Sequence, residues 1–193
     1  MLRDAKHTRI IVIGRWGTRP TRDWYPWFTR QAARFGTVTV PEMPHPDEPV
    51  VGDWTKAVAD TLEEVPQGVS CLVVGHSVGC QAIVRALASR NPPAMLGAVF
   101  VAGWWEVANP WPALKPWCLL DYAVEKARYV LPTSRVLLSS NDPFNPDYES
   151  NARVWRDRLG SEVEIVPNAA HFNRSEEPRV LKAVETILRA VSP

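Results

Sequence analysis

Cysteine is scarce in this chain, with three copies among 193 residues. Cys71, Cys80 and Cys118 contain no C-x-x-C pair and do not make up an even set, which argues against a disulfide framework and against a zinc site. Cys71 and Cys80 lie in apolar runs and are predicted to be buried. A chain of this length buries roughly 70% of its unfolded surface without any covalent staple. The sequence therefore predicts a single domain over residues 1–193 with no metal site.

An excess of charge of one sign is also absent. The chain has 22 Lys and Arg against 21 Asp and Glu, a net charge of +1. Nucleic acid and anionic membranes are therefore not expected as partners. The longest apolar run, residues 96–105, is about half of the roughly 20 residues that a membrane-spanning helix needs. Residues 1–9 are charged and lack the apolar core of a signal peptide, so we expect a cytoplasmic protein.

Short apolar runs alternate with amphipathic segments along the chain. The pattern predicts strands at residues 9–13, 37–40, 69–74, 95–102, 134–139 and 162–166. It predicts helices at residues 24–35, 53–64, 79–90, 147–159 and 176–191. Such alternation builds a parallel sheet through right-handed crossovers. The sequence therefore predicts an α/β fold, with a mostly parallel sheet of about six strands, helices on both faces, and an irregular insert at residues 103–132.

The third predicted strand leads into the sequence GHSVG at residues 75–79. A G-x-S-x-G turn between a strand and a helix holds its serine in a strained backbone conformation, and the two glycines allow the close packing that this turn requires. The turn raises Ser77 to the N-terminus of the next helix, where backbone amides favour developing negative charge. The strand before the motif and the helix after it favour a nucleophile over an ordinary tight turn.

A serine nucleophile needs a base, which in this arrangement follows late in the chain, just past a strand end. Of the four histidines, His7 lies in the charged N-terminal segment and His45 in a proline-rich turn. His76 lies within the GHSVG turn itself, called the elbow below, and its side chain is expected to point away from the serine. His171 alone follows the last predicted strand, so we predict it as the base rather than as a surface-turn residue.

The acid of such a site is expected just past the fifth predicted strand. Asp142 is the first carboxylate there, and we predict it as the acid; the alternative is an Asx-turn with Pro143. Asp147 is better placed to cap the helix that follows.

An oxyanion hole needs two backbone N–H donors. One is expected from Val78, the residue after the nucleophile. The other is expected from the loop after the first strand, with Arg15 as the first choice and Trp16 as the second.

Three motifs in combination resemble a known family. They are GHSVG at residues 75–79, SSNDP at 139–143 and AHF at 170–172. Together they resemble the small α/β-hydrolases of the serine hydrolase family that includes retinoblastoma-binding protein 9, over roughly residues 9–190. The resemblance implies a compact α/β-hydrolase fold with a minimal lid, a triad of Ser77, Asp142 and His171, and no cofactor. The chain departs from many members after the first strand, where Ile13-Gly14 replaces His-Gly or Pro-Gly.

Tryptophan is unusually common, with nine copies. Four of these residues lie in the proline-rich insert: Trp104, Trp105, Trp111 and Trp117. One interpretation is an aromatic pocket for an acyl or aromatic group, formed by Trp16, Trp104, Trp105 and Phe172. The other is ordinary packing of a short cap on the sheet edge, and the sequence leaves both open. No cluster of Arg or Lys faces the insert, so no site for a phosphate-bearing acyl carrier is expected.

These features lead to one main hypothesis and two alternatives. The main hypothesis is a carboxylesterase-like serine hydrolase that cleaves small ester, thioester or amide substrates through an acyl-enzyme. The first alternative is a protein-binding module on a hydrolase scaffold with weak or vestigial activity. A binding module has no need of a complete Ser, Asp and His set, which favours the enzyme. The second alternative transfers the acyl group to an alcohol or amine. The sequence identifies no protein partner.

Overall fold

A computed structural model describes residues 7–89, 91–108, 110–118 and 121–191 of the chain. Its centre is a six-stranded sheet in the order β2-β1-β3-β4-β5-β6, in which every neighbouring pair is parallel. The strands are β1 (Thr8–Ile13), β2 (Thr37–Thr39), β3 (Ser70–His76), β4 (Met95–Val101), β5 (Ser134–Ser139) and β6 (Glu162–Val166). The predicted parallel sheet of about six strands is thus confirmed.

In the described ranges, six α-helices cover the two faces of this sheet. They are α1 (Tyr25–Ala32), α2 (Val51–Glu63), α3 (Val78–Ser89), α4 (Asp121–Val130), α5 (Tyr148–Leu159) and α6 (Pro178–Ala190). Because side chains alternate across a strand, Ile10 and Val12 pack with α1 and α6, while Ile11 and Ile13 pack with α2 to α5. The prediction of helices on both faces is confirmed. Within the described ranges, no helix has the length and apolar character needed to cross a bilayer.

The segment 103–132 is more regular than the sequence indicates. It contains a short 3₁₀ helix at Lys115–Cys118 and the helix α4. The buried residues Ala123 and Ala127 place α4 against the core of the α2-to-α5 face. The buried residues described in this helix are Ala123, Val124 and Ala127, a short apolar stripe. Because the stripe is short and follows a segment rich in proline and tryptophan, the sequence pattern does not reveal the helix. The prediction of an irregular insert over this whole segment was wrong.

The two cysteines in the apolar runs are buried, as predicted. Burial raises the pKa of Cys71 to about 12 and raises the pKa of Cys80 as well. Both thiols therefore stay protonated at neutral pH, and a thiol is a poor nucleophile compared with a thiolate. Although Cys80 lies in the first turn of α3, it packs as a small apolar residue.

Candidate active site

Ser77 lies in the turn between β3 and α3, at the carboxyl edge of the sheet. Its backbone φ is 57°, in the left-handed region that residues other than glycine rarely adopt. The Ser77 N–H donates to the carbonyl oxygen of Val101 at 2.8 Å, and the Cys80 N–H donates to the carbonyl oxygen of Ser77 at 2.9 Å. The serine is therefore carried on a strained strand-to-helix turn of the kind that GHSVG predicts.

Two glycines allow this turn to form. A Cβ on Gly75 would lie 2.8 Å from the Cα of Cys80, and a Cβ on Gly79 would lie 2.7 Å from the carbonyl oxygen of Gly14. Neither approach is possible for a side chain without movement of the backbone. The absence of these side chains lets α3 begin directly against the end of β1. The start of α3 is thereby brought next to residues 14–16, which we call the oxyanion loop.

Replacing Gly79 with alanine is expected to lower the free energy of unfolding by about 3 kcal/mol, because the new methyl group meets rigid backbone. Gly52 offers a matched control, since it lies in helix α2 and a Cβ there meets nothing within 4 Å. Gly52→Ala is expected to raise the free energy of unfolding by about 0.5–1 kcal/mol. Urea unfolding of both variants measures the two effects. Equal stability of Gly79→Ala and the parent would contradict the close packing of α3 on β1.

Asp142 and His171 meet at the same edge of the sheet, in the loops that follow β5 and β6. The Nδ1 atom of His171 lies 2.8 Å from Oδ2 and 3.0 Å from Oδ1 of Asp142. Both side chains are buried, with exposures of 6% for His171 and 1% for Asp142. A carboxylate oxygen accepts, so Nδ1 carries the proton in this pair. In the neutral ring Nε2 is then unprotonated, which is the form that a general base requires.

Two polar residues at the end of β5, Ser139 and Asn141, hold the loop that carries His171. This loop, residues 167–172, is called the histidine loop below. Asn141 Oδ1 accepts the N–H of Ala170 at 2.9 Å, and Ser139 Oγ accepts the N–H of Ala169 at 3.1 Å. The hydroxyl of Ser139 in turn donates to Asn141 Oδ1 at 2.9 Å. The SSNDP motif therefore supplies both the candidate acid and the support of the loop opposite it, a second role that the motif alone does not reveal.

Ser77 and His171 both line one cavity of about 290 Å³. The other lining residues are mostly apolar: Arg15, Trp16, Val78, Trp104, Val107, Trp111, Leu114 and Phe144. The Phe144 ring stands edge-on to the ring of His171, with the centroids 4.8 Å apart. Within the described ranges, no group of three His, Cys, Asp or Glu side chains is arranged to hold a metal ion. The arrangement is suited to acyl chemistry on a group that enters beside Ser77.

Two of the predicted pocket residues lie elsewhere. The ring of Trp105 stacks edge-on against Trp155, with the centroids 4.8 Å apart, and it does not line the cavity. Phe172 is fully buried in the apolar cluster that includes α1 and α6, on the face of the sheet opposite to the one that carries Trp104 and Trp105. Its φ of 50° turns the chain after His171, so that the side chain beside the histidine points away from the cavity. The prediction of both residues as pocket walls was wrong, whereas Trp16 and Trp104 line the cavity.

The backbone of the oxyanion loop also differs from the first expectation. The N–H of Arg15 donates to the hydroxyl oxygen of Tyr25 at 3.0 Å, so it is not free to bind an oxyanion. This contact argues against Arg15, the first choice for the second oxyanion donor. The N–H of Trp16, the second choice, has no acceptor in the described part of the chain. Val78 supplies the first N–H of α3, at the cavity wall.

No motif in the sequence assigns a role to His76 or Tyr25. The imidazole of His76 is fully buried and lies between the hydroxyl of Tyr25 and the backbone of His171. Burial, followed by the proximity of His171, lowers the pKa of His76 well below its ordinary value, so the ring is neutral. The partners of His76 are 51 and 95 residues away in sequence. No local motif carries a signal for contacts at such separations.

A parallel sheet whose elbow serine shares a cavity with a His–Asp pair defines an α/β-hydrolase. The chain belongs to the serine hydrolase family, whose model matches residues 10–189. The family expected from the three sequence motifs is thus confirmed.

Known proteins resemble the chain in sequence and in structure. It is 26% identical over 106 residues to YdeN of Bacillus subtilis, a protein named as a hydrolase, and the match covers 53% of this chain and 53% of YdeN. The chain thus spans about half the length of the curated relative it matches. The crystal structure of the B. subtilis ydeN gene product has a TM-score of 0.82 at 21% identity, covering 94% of this chain and 99% of that one. A YdeN-like hydrolase of Pectobacterium atrosepticum has a TM-score of 0.72 at 18% identity, covering 97% and 94%.

Proposed function

We propose that this protein hydrolyses esters whose acyl group is compact and uncharged, through an acyl-enzyme on Ser77. The observation that carries the proposal is the buried His171–Asp142 pair, 2.8 Å between Nδ1 and Oδ2, on the cavity that Ser77 also lines. Nucleophile, base and orienting acid are the three groups that acyl transfer from an ester needs. Val78 and Trp16 supply the N–H groups for the oxyanion.

The reaction has two halves. In the first, Ser77 Oγ attacks the ester carbonyl carbon while His171 Nε2 takes the serine proton, and the N–H groups of Val78 and Trp16 bind the negatively charged oxygen. The intermediate collapses, the C–O bond to the leaving oxygen breaks, and the imidazolium gives its proton to that oxygen, which releases the alcohol. In the second half, water attacks the acyl-enzyme with His171 again as base. The acid leaves and Ser77 regains its proton.

The cavity wall supports a small apolar acyl group. Its volume of about 290 Å³ lies at the lower end of the range for ligand pockets, roughly 300–1,000 Å³. Arg15 is the one permanent charge among the lining residues that the structure describes, and its guanidinium is bound to Asp23 at 2.8 and 3.2 Å. A charged acyl group would therefore lose water without gaining an ionic partner.

A fluorophosphonate probe and a set of p-nitrophenyl esters test this proposal. We expect one covalent adduct, located on Ser77 by peptide mass mapping, with loss of fluoride. Butanoate is expected to exceed acetate by about tenfold in kcat/KM, because each buried CH₂ contributes about 0.8 kcal/mol. Palmitate is expected to be a poor substrate because its chain exceeds the cavity.

A succinyl monoester is the matched control for the acyl pocket. It has the four carbons of butanoate but ends in a carboxylate, so its kcat/KM is expected to fall well below that of butanoate. A folded protein that forms no adduct and cleaves no ester would overturn the proposal and favour a binding role. Equal rates for the succinyl and butanoyl esters would overturn the assignment of an apolar acyl site.

A further inference from the structure

A line of three hydrogen bonds joins the oxyanion loop to the histidine loop. The N–H of Arg15 donates to Tyr25 Oη at 3.0 Å, and Tyr25 Oη lies 2.9 Å from His76 Nδ1. On the other side of the ring, His76 Nε2 lies 2.8 Å from the carbonyl oxygen of His171. Tyr25 and His76 are both fully buried. The line connects the two loops that supply the proposed oxyanion donor and the proposed base.

Every proton in this line has a determined place. The carbonyl oxygen of His171 can only accept, so His76 Nε2 carries a hydrogen. Because burial keeps the ring of His76 neutral, its Nδ1 is bare and accepts from the Tyr25 hydroxyl. Burial also raises the pKa of Tyr25, so this hydroxyl keeps its proton. All three bonds therefore run in one direction, an arrangement in which each bond polarises and strengthens the next.

The histidine loop needs this support because its backbone is strained. Asn168, Ala170 and Phe172 have φ values of 54°, 48° and 50°, in the left-handed region. Such a conformation persists only where the surroundings hold it. Besides the bond from His76, the indole N–H of Trp24 donates to the carbonyl oxygen of Phe172 at 2.9 Å. Two successive carbonyl groups of the loop are thus held from the start of α1 and from the elbow.

The same line sets the direction of the oxyanion loop. With the Arg15 N–H turned toward Tyr25, the next N–H in the chain, that of Trp16, is left without an intramolecular partner in the part of the chain that is described. The shape of the core does not require the hydroxyl of Tyr25, because a phenylalanine ring would fill the same space. The hydroxyl instead gives Arg15 an acceptor and His76 a donor.

We propose that Tyr25 and His76 are positioning residues, which set the distance and orientation between the oxyanion loop and His171 through this hydrogen-bonded line. This inference rests on the proposed ester hydrolysis, since it concerns the same site. Neither residue contacts the reacting atoms. Their effect is expected on the rate of the chemical steps and not on substrate binding, because misplacement by about 1 Å costs about 100-fold in rate.

Tyr25→Phe is the first test. It keeps the ring and removes the hydroxyl, so we expect kcat for the best ester to fall 10- to 100-fold with KM within twofold of the parent. Ser134→Ala is the matched control. It removes a buried hydroxyl that is hydrogen-bonded to Ser161 at 2.7 Å, at the opposite end of the strands from the cavity. We expect Ser134→Ala to be destabilised to a similar extent in thermal unfolding and to keep the kcat of the parent.

The fluorophosphonate reaction separates positioning from mere loss of folded protein. If Tyr25 positions the site, all Tyr25→Phe molecules form the adduct, but at least tenfold more slowly than the parent. If Tyr25 only stabilises the fold, the folded fraction reacts at the parent rate and the remainder does not react. Full labelling at the slower rate supports the inference, and partial labelling at the parent rate overturns it.

A pair of variants at His76 provides an independent test. The amide nitrogen of glutamine can occupy the place of the imidazole Nε2 and donate to the carbonyl oxygen of His171. We therefore expect His76→Gln to keep kcat within tenfold of the parent and His76→Leu to lose 100-fold or more. Equal losses in the two variants would overturn the role of this bond.

The rates of the parent protein separate a failure of the positioning role from a failure of the proposed ester hydrolysis. If the parent reacts with the probe and with esters while Tyr25→Phe matches its rates, the positioning role is wrong and the hydrolase proposal stands. If the parent itself is inert in both assays, the proposed ester hydrolysis fails, and the positioning role fails with it.

Discussion

Replacing Ser77 with alanine is expected to lower kcat for the best ester by about 10⁵- to 10⁶-fold, the loss typical of a missing serine nucleophile. Alanine keeps the Cβ and removes only Oγ, so the turn with its φ of 57° and the cavity wall remain. The free energy of unfolding is expected to change by less than about 1 kcal/mol, since a single hydroxyl is lost. Initial rates with the purified variant and urea unfolding measure the two quantities.

Ser134→Ala is again the control for this variant, because it is the same chemical change at a buried serine far from the cavity. Its kcat is expected to equal that of the parent. The residual rate of Ser77→Ala is expected to stay above that of uncatalysed hydrolysis, since the cavity still binds the ester and offers N–H groups to the oxyanion. Retention of a tenth of the parent activity in Ser77→Ala would mean that another group or a bound water attacks the ester.

The fold could be predicted from the sequence because its signals are local and periodic. Runs such as Ile10 to Ile13 are apolar on both faces, which is typical of a parallel strand covered on both sides. Candidate site residues could be located for a related reason. Parallel strands all end at one edge of the sheet. The same edge is therefore expected for Ser77, Asp142 and His171, because each follows a strand end, and this does not depend on the conformation of the loops between them.

The pocket walls and the direction of the N–H groups in the oxyanion loop could not be predicted in this way, because they depend on the direction of individual groups in loops. Trp104 and Trp105 are neighbours in sequence, yet Trp104 lines the cavity and Trp105 packs on Trp155. Asn151 decides this path, because its Oδ1 accepts the N–H of Trp105 at 2.6 Å. Composition alone gives the number of aromatic rings, and it does not say which of them face the cavity.

The choice between Arg15 and Trp16 has the same cause. Neighbouring N–H groups in a turn point in different directions, and which one faces the nucleophile depends on the acceptors around the loop. Here the acceptor is the hydroxyl of Tyr25, ten residues further along the chain. That hydroxyl is hydrogen-bonded in turn to His76, so the direction of the Arg15 N–H depends on a contact with a residue of the elbow. A sequence motif can name the loop but not the donor within it.

Asp142→Asn is expected to lower kcat by about 10⁴-fold with little change in KM, as a consequence of the wrong histidine tautomer. The reason lies in the third contact of Asp142. Its Oδ1 accepts the N–H of Phe144 at 2.9 Å, so an asparagine keeps its oxygen there and places its NH₂ where Oδ2 now faces His171. An NH₂ group donates, so the shorter contact of His171 Nδ1, at 2.8 Å, then favours a ring whose Nδ1 accepts. The proton moves to Nε2, which can no longer take the proton of Ser77.

Asp147→Asn is the matched control, since Asp147 is the next carboxylate after Asp142 in the segment that follows β5. It is an exposed residue at the start of α5. Its side chain makes no capping hydrogen bond, so kcat is expected to stay within twofold of the parent. Fluorophosphonate labelling of Asp142→Asn is expected to slow in proportion to kcat, because both reactions need the same proton transfer. If Asp142→Asn kept the parent rate, His171 would need no orienting acid. The buried pair would then be a structural contact and not part of the catalytic site.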